Sequence, residues 1–339
     1  MSEMIFSHPE PARSKTRILP IFMPFAGCRT RCVYCSQTIQ TGTAEAQLKN
    51  IYNFLQQILE NAEDDAAFEV AFYGGTFTAL PFEWQKRLVS LAAHFKESGK
   101  VSGVRCSTRP DAVDREQLLL LKDLGLRTVE LGVQSYNNTV LANSKRGYTE
   151  DVIVSACNTV IKCSLDLGVQ LLPGLPGMDS KIFQDDIRKT CSIAPAVVRL
   201  YPCLVFEDTV LARWFARGEY APWALDETVG ALGVGLLDLW RHGIRVIRIG
   251  VAQEDGLTDS LVAGPFHPAM GNMVRSEALR CLIVEKMQML NKPFSRLFFP
   301  KRYQGELWGY KGAHKAFWKS QGLTPENALG WNLPVFQMD

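Results

Sequence analysis

Two hydrophobic rhythms alternate along this chain. Short aliphatic runs of strand character are followed by polar stretches in which apolar residues return every three or four positions, the period of an amphipathic helix. The run Arg17–Phe22 (RILPIF) reads as a buried strand. Across 45–60, Leu48, Ile51, Tyr52, Leu55, Ile58 and Leu59 fall on one helical face. Phe68–Tyr73 is the next strand, 82–97 a helix, 101–107 a strand, and 115–124 a helix closed by Gly125. The alternation goes on with a strand at 127–133, a helix at 149–162, a strand at 165–172, a helix at 179–191, a strand at 196–203 and a helix at 209–216. Six strand–helix units in succession require parallel strands joined by right-handed crossovers. Six are too few to close an eight-fold barrel. The expected fold is therefore α/β, a partial (β/α)6 barrel with its site at the C-terminal ends of the strands.

Beyond this core, 226–242 reads as a helix, 244–249 as a strand and 250–264 as a loop. From Pro265 onward the β/α rhythm is lost, which suggests a barrel unit over 17–250 and an accessory extension over 251–339. The extension is basic and aromatic. Lys286, Lys292, Arg296, Lys301, Arg302, Lys311, Lys315 and Lys319 interleave with Phe294, Phe298, Phe299, Tyr303, Trp308, Tyr310, Phe317 and Trp318. Such a segment can hold RNA through phosphate neutralisation and base stacking. It can equally dock a tail through its aromatics and leave the lysines in solvent. In 264–276, the Gly-Pro and His-Pro pairs mark turns, and His267 is expected to be structural.

Composition adds limits more than direction. With 37 Lys and Arg against 35 Asp and Glu, the chain is close to neutral, so global charge names no partner. No apolar run is long enough to cross a membrane and the N-terminus lacks a hydrophobic signal core, so a soluble cytoplasmic protein without membrane association is expected. Of nine cysteines, Cys106, Cys157, Cys163, Cys191, Cys203 and Cys281 stand alone among apolar neighbours and read as small buried hydrophobes.

The other three are different. Cys28, Cys32 and Cys35 lie in GCRTRCVYCS, a C-x3-C-x2-C pattern, in the loop after the first strand. A structural zinc site wants a fourth ligand, and no nearby cysteine or histidine supplies one. A disulfide would leave one thiol over. An iron–sulfur cluster held by three thiolates would keep one iron open for a substrate or cofactor. The remaining unusual residues also gather at the ends of predicted strands: Gly74-Gly75-Thr76, STRPD, GVQS, PGLPG and YPC.

Three cysteines so spaced, with aromatic Tyr34 before the last, resemble the radical S-adenosylmethionine enzymes. The segments AFYGGTFTALP, STRPDAVD, VELGVQSYNNTVLANSKRGYT, QLLPGLPGM and VRLYPCLVFEDT resemble, in order, the radical domain of the Elongator catalytic subunit. They are similar more loosely to oxygen-independent coproporphyrinogen oxidase. The resemblance covers about residues 17 to 250 and implies a [4Fe-4S] cluster on Cys28, Cys32 and Cys35. S-adenosyl-L-methionine would sit on the open iron, and an external donor would supply the electron that cleaves it. It further implies that Gly74, Gly75 and Thr76 bind the methionine end and that Gln134 and Arg146 contact the same cofactor. Ser107, Arg109 and Glu130 would face cofactor or substrate, and Gly174 and Pro176 would lie against the adenine. Past Gly250 no glycine-rich pyrophosphate loop suggests an acetyl-coenzyme A site, so acetyl-dependent chemistry is not carried over. The reading this leaves is a radical enzyme acting on tRNA or another RNA. The alternatives are a radical enzyme with a small-molecule or tetrapyrrole substrate, and a haem- or RNA-binding relative without turnover.

Overall fold

The computed structural model describes residues 3–12, 16–24, 26–28, 31–35, 48–63, 67–251, 259–290 and 295–339. Its strands, in chain order, are β1 (Met4–Ser7), β2 (Arg17–Phe22), β3 (Phe68–Tyr73), β4 (Val101–Thr108), β5 (Leu126–Gln134), β6 (Asp166–Leu171), β7 (Val197–Leu200), β8 (Val205–Phe206), β9 (Arg245–Ile249), β10 (Leu261–Ala263), β11 (Leu297–Pro300), β12 (Ala328–Trp331) and β13 (Val335–Met338). Seven of them form one parallel sheet in the order β2-β3-β4-β5-β6-β7-β9. The sheet curls into a half-barrel whose two edges, β2 and β9, are not paired with each other. The partial barrel expected from the alternation is therefore present, and the predicted strand at 244–249 extends it from six strands to seven.

Local chemistry explains the element ends. The helix Arg115–Asp123 starts where Asp114 accepts the N–H of Gln117, and Ser180–Ile193 starts where Asp179 accepts that of Ile182. Each carboxylate satisfies an amide that the first helical turn leaves without a partner. The described helix Leu48–Asn61 buries Leu55 and Leu59; the first residues of the helix expected over 45–60 lie outside the described residues. A short helix, Asn138–Asn143, occupies a stretch that reads as polar turn in the sequence, started by Asn137 on the N–H of Val140.

The two chain ends meet. β1 pairs antiparallel with β13, and together with β11 and β12 they form a second, four-stranded sheet. Its aromatics are largely used within this unit. Trp318 is fully buried and its indole N–H donates to the Leu307 carbonyl at 2.6 Å. Phe298 stacks on Trp331 and Phe6 on Phe336, each pair at 5.1 Å between ring centres. Arg296, Arg302 and Lys311 lie over the tail's own Phe298, Tyr303 and Tyr310. Lys292 and Phe294 lie outside the described residues. His267 accepts the Ala269 N–H through Nδ1 and sets its ring edge against Tyr310, a structural role. The helix Met270–Met289 packs on Leu225–Arg241 and ties the extension to the barrel. Among the described residues, no helix is long and apolar enough to cross a membrane.

Candidate active site

A cavity of about 540 Å³ opens at the C-terminal ends of the strands. The loop after β2 supplies Cys28, Cys32, Tyr34 and Cys35 to its wall, and the loop after β3 supplies Gly74, Gly75 and Thr76. These two loops are locked together by backbone geometry. The Thr76 N–H donates to the Ala26 carbonyl at 2.7 Å, and the Cys28 sulfur lies 3.2 Å from the Thr76 hydroxyl. Gly74 adopts φ +93°, which glycine alone reaches without strain. A Cβ on Gly75 would come within 2.2 Å of the Ala26 carbonyl oxygen, so only glycine permits this approach.

The three cysteines line one wall of the cavity, and no group of His, Cys, Asp or Glu among the described residues closes around a single metal position. A four-iron cube takes one thiolate per iron, so three thiolates on one wall would serve three of its irons. The remaining six cysteines have no place in the cavity. Burial pushes the thiols of Cys157 and Cys203 up to about 12, so they stay neutral and inert.

From the far wall comes Arg146, nine-tenths buried. It donates through Nη1 to the Cys32 sulfur at 3.0 Å and to the Tyr34 hydroxyl at 3.2 Å, through Nε to the Tyr148 hydroxyl at 2.7 Å, and through Nη2 to the Gly132 carbonyl. The guanidinium is thus committed to the cysteine loop and to the end of β5. Arg109 lines the cavity too, but its charge meets Asp111 in a two-pronged pair at 2.8 Å. Gln134 reaches the wall from a backbone with φ +69°, at an irregularity in the β5–β6 register. A non-glycine residue held there costs about 1–3 kcal/mol and persists only where surrounding contacts enforce it.

Ser107 also lines the cavity. Glu130, expected to face cofactor or substrate, lies below the cavity floor and is fully buried. Its carboxylate receives Arg105 Nη1 at 2.8 Å, Tyr73 hydroxyl at 2.8 Å, Gln170 Nε2 at 3.0 Å and Arg199 Nε at 2.7 Å. Space for this side chain comes from Gly168 on the adjacent strand, where a Cβ would stand 2.6 Å from the Glu130 Cγ. Burial alone would push the Glu130 carboxyl up, but Arg199 and Arg105 outweigh it and hold it below the ordinary carboxylate range. Gly174 and Pro176 are not brought to the cavity wall. The Gly174 carbonyl accepts the Tyr220 hydroxyl at 2.6 Å and the Pro176 carbonyl the Asn143 amide at 3.3 Å, so both support the loop after β6 from behind.

Tyr73, Gln170, Arg199 and Arg248 also line the cavity and are not singled out from the sequence. Their signal was available. Parallel strands covered on both faces are usually continuous apolar runs, so a charged residue set inside such a strand, Arg105 in β4, Glu130 in β5 and Arg199 in β7, marks a polar barrel interior.

The chain matches the Radical SAM superfamily over residues 22–189 and the Radical SAM C-terminal domain over residues 195–280. It is 29% identical over 261 residues to a tRNA uridine(34) acetyltransferase of Methanocaldococcus jannaschii, covering 64% of this chain and 48% of that protein. The chain therefore spans about half the length of that curated relative. In structure it is similar to the archaeal Methanocaldococcus infernus Elp3, with TM-score 0.59, 22% identity, and coverage of 81% of this chain and 64% of that one. It is also similar to the coproporphyrinogen III oxidase HemN of Escherichia coli, with TM-score 0.50, 18% identity, and coverage of 70% and 54% respectively. Members of the matched superfamily use a [4Fe-4S] cluster and S-adenosylmethionine. With its half-barrel and its cysteine loop at the strand ends, this chain belongs to the radical S-adenosylmethionine superfamily of enzymes.

Proposed function

We propose that Cys28, Cys32 and Cys35 hold a [4Fe-4S] cluster, that the cavity above them binds S-adenosylmethionine, and that the substrate is a tRNA. When bound and reduced by an external donor, the pair supplies a 5′-deoxyadenosyl radical that takes a hydrogen atom from the substrate. The observation that carries this reading is convergence: cysteine loop, Gly74-Gly75-Thr76, Ser107, Gln134 and Arg146 all line one cavity. The chain's own residues would divide the work. Gly74 and Gly75 expose backbone to the methionine amino group, Thr76 steadies Cys28, and Arg146 donates to the Cys32 thiolate, tuning it as an outer-shell partner. Gln134 would contact the cofactor, while Glu130 acts as a positioning residue that fixes Arg199 and Tyr73 at the cavity floor. The barrel unit over 17–250 would carry this chemistry, with 251–339 as an accessory unit that β1 joins.

The tRNA reading is supported by the tRNA uridine(34) acetyltransferase that the chain resembles and by the charge of the cavity wall, which carries five arginines and no carboxylate among the described residues. The test uses the anaerobically reconstituted, reduced protein with S-adenosylmethionine. Unfractionated tRNA should raise 5′-deoxyadenosine formation several-fold. Stimulation by a porphyrinogen and none by tRNA would assign the cavity to a tetrapyrrole instead.

A further inference from the structure

The arginines of the cavity wall are not equivalent. Arg199 pairs with Glu130, Arg109 with Asp111, and Arg146 is committed to Cys32, Tyr34, Tyr148 and Gly132. Arg248 differs. It lies on β9, in register with Arg199, and its Nε donates to the Gly250 carbonyl at 3.1 Å. No carboxylate among the described residues pairs with it, and its two terminal nitrogens make no hydrogen bond there.

Its position is equally distinctive. β9 is one free edge of the half-barrel and β2 the other. A second cavity, of about 570 Å³, opens at the opposite end of the strands, and Ile18, Ile247 and Arg248 line both cavities. Arg248, half-buried on one free edge, and Ile18, on the other, thus border both cavities. Close by, Phe206, Leu204 and Val251 give the cavity an apolar side. A cation without a counter-ion beside an apolar wall fits a ligand that brings a flat ring and an oxygen acceptor together.

We propose that Arg248 is a substrate-positioning residue, its free guanidinium edge donating to an oxygen acceptor of the nucleotide that enters the cavity. This rests on the tRNA reading above. The acceptor has two possible sources, a phosphate oxygen or a base carbonyl, and a planar fork of donors suits either. Arg248 serves the substrate, and the residues at the cysteine end serve S-adenosylmethionine.

The experiment measures binding of a synthetic anticodon stem–loop RNA carrying an unmodified wobble uridine, against salt, for wild type, Arg248→Gln and Arg248→Lys. S-adenosylmethionine binding to the reconstituted proteins is measured in parallel. Arg248→Gln should weaken RNA binding about tenfold, leave S-adenosylmethionine affinity within about twofold, and be partly rescued by Arg248→Lys. If the acceptor is a phosphate, the slope of log affinity against log salt falls by about 0.7, one single-strand phosphate contact. If it is a base carbonyl, affinity falls at constant slope. Unchanged RNA affinity, or a loss of S-adenosylmethionine binding with RNA binding intact, overturns the assignment of Arg248 alone. Failure of the wild type to bind the RNA overturns the tRNA reading and this inference with it.

Discussion

Replacing Glu130 by Gln tests the polar layer beneath the cavity. The carboxylate is fully buried and surrounded only by donors: Arg105, Tyr73 and Arg199 Nη2 on one oxygen, Gln170 and Arg199 Nε on the other. A glutamine amide has one acceptor and one donor end. Whichever way it turns, its NH₂ faces at least two donors. Arg105 keeps Glu69 as a partner, but Arg199 loses the one carboxylate it pairs with among the described residues. Breaking a buried ion pair from one side costs about 3–5 kcal/mol, and little relaxation is open to a side chain packed over Gly168. At about 2 °C per kcal/mol for a chain of this size range, Glu130→Gln should melt about 6–10 °C below wild type. Glu116→Gln on an exposed helix turn should stay within about 0.5 kcal/mol. The pH dependence has a definite sign. Because the folded pKa of Glu130 is depressed, its contribution is present above the unfolded value near pH 4.3 and is lost as pH falls through the folded value. The Gln variant should lose that part of the acid sensitivity. A variant melting within about 2 °C of wild type would refute the buried-network account.

Gly75→Ala forces a Cβ to within 2.2 Å of the Ala26 carbonyl, so the cysteine loop must move; iron per chain after reconstitution should fall to less than about half of wild type while the far-UV circular dichroism is kept, and full iron loading would contradict the docking of the two loops. Asp186 accepts the Tyr136 N–H at 2.8 Å, leaves its second oxygen without a partner, and burial pushes its carboxyl up to about 6. With the folded pKa above the unfolded one, its contribution is greatest in acid and is lost as pH rises through about 6. Asp186→Asn should therefore stabilise the protein at pH 7 by about 2–3 kcal/mol, with a smaller gain at pH 4.5, measured by thermal melts; an equal gain at both pH values would sink the reading. Trp318→Ala removes a fully buried indole and its bond to Leu307 and should cost about 3–5 kcal/mol, whereas a variant as stable as wild type would show that the extension is not docked through its aromatics.

Much of this arrangement was legible in the residues because the strand–helix rhythm is local. Arg17–Phe22 and Phe68–Tyr73 carry their own β signature and form strands where that signature puts them, but Arg17–Phe22, expected to be buried, is an edge strand in which Ile21 alone is fully buried. The order of cysteine loop, glycine doublet and GVQS brought the cavity wall with it. What local patterns do not carry is pairing at a distance. Nothing in MIFS announces that β1 joins β13 from the other end of the chain. PGLPG looks like a ligand loop because glycine and proline shape a turn, yet the Gly174 and Pro176 carbonyls bond to Tyr220 and Asn143 behind it. Glu130 stands out as a charge within an apolar strand, but its burial under Arg105 and Arg199 depends on two other strands and is not written in β5 alone. The aromatics of the basic extension read as a stacking surface in one dimension and form the core of a small sheet in three.

The central claim is that three cysteines beside Gly74-Gly75-Thr76 make a site that cleaves S-adenosylmethionine. Its most direct measurement is 5′-deoxyadenosine released after anaerobic reconstitution and reduction, for wild type and Cys32→Ala. The account predicts product from the wild type, and from Cys32→Ala neither the brown cluster absorbance nor product. An intact [4Fe-4S] signal in the wild type with no 5′-deoxyadenosine, or product from the variant, would contradict it.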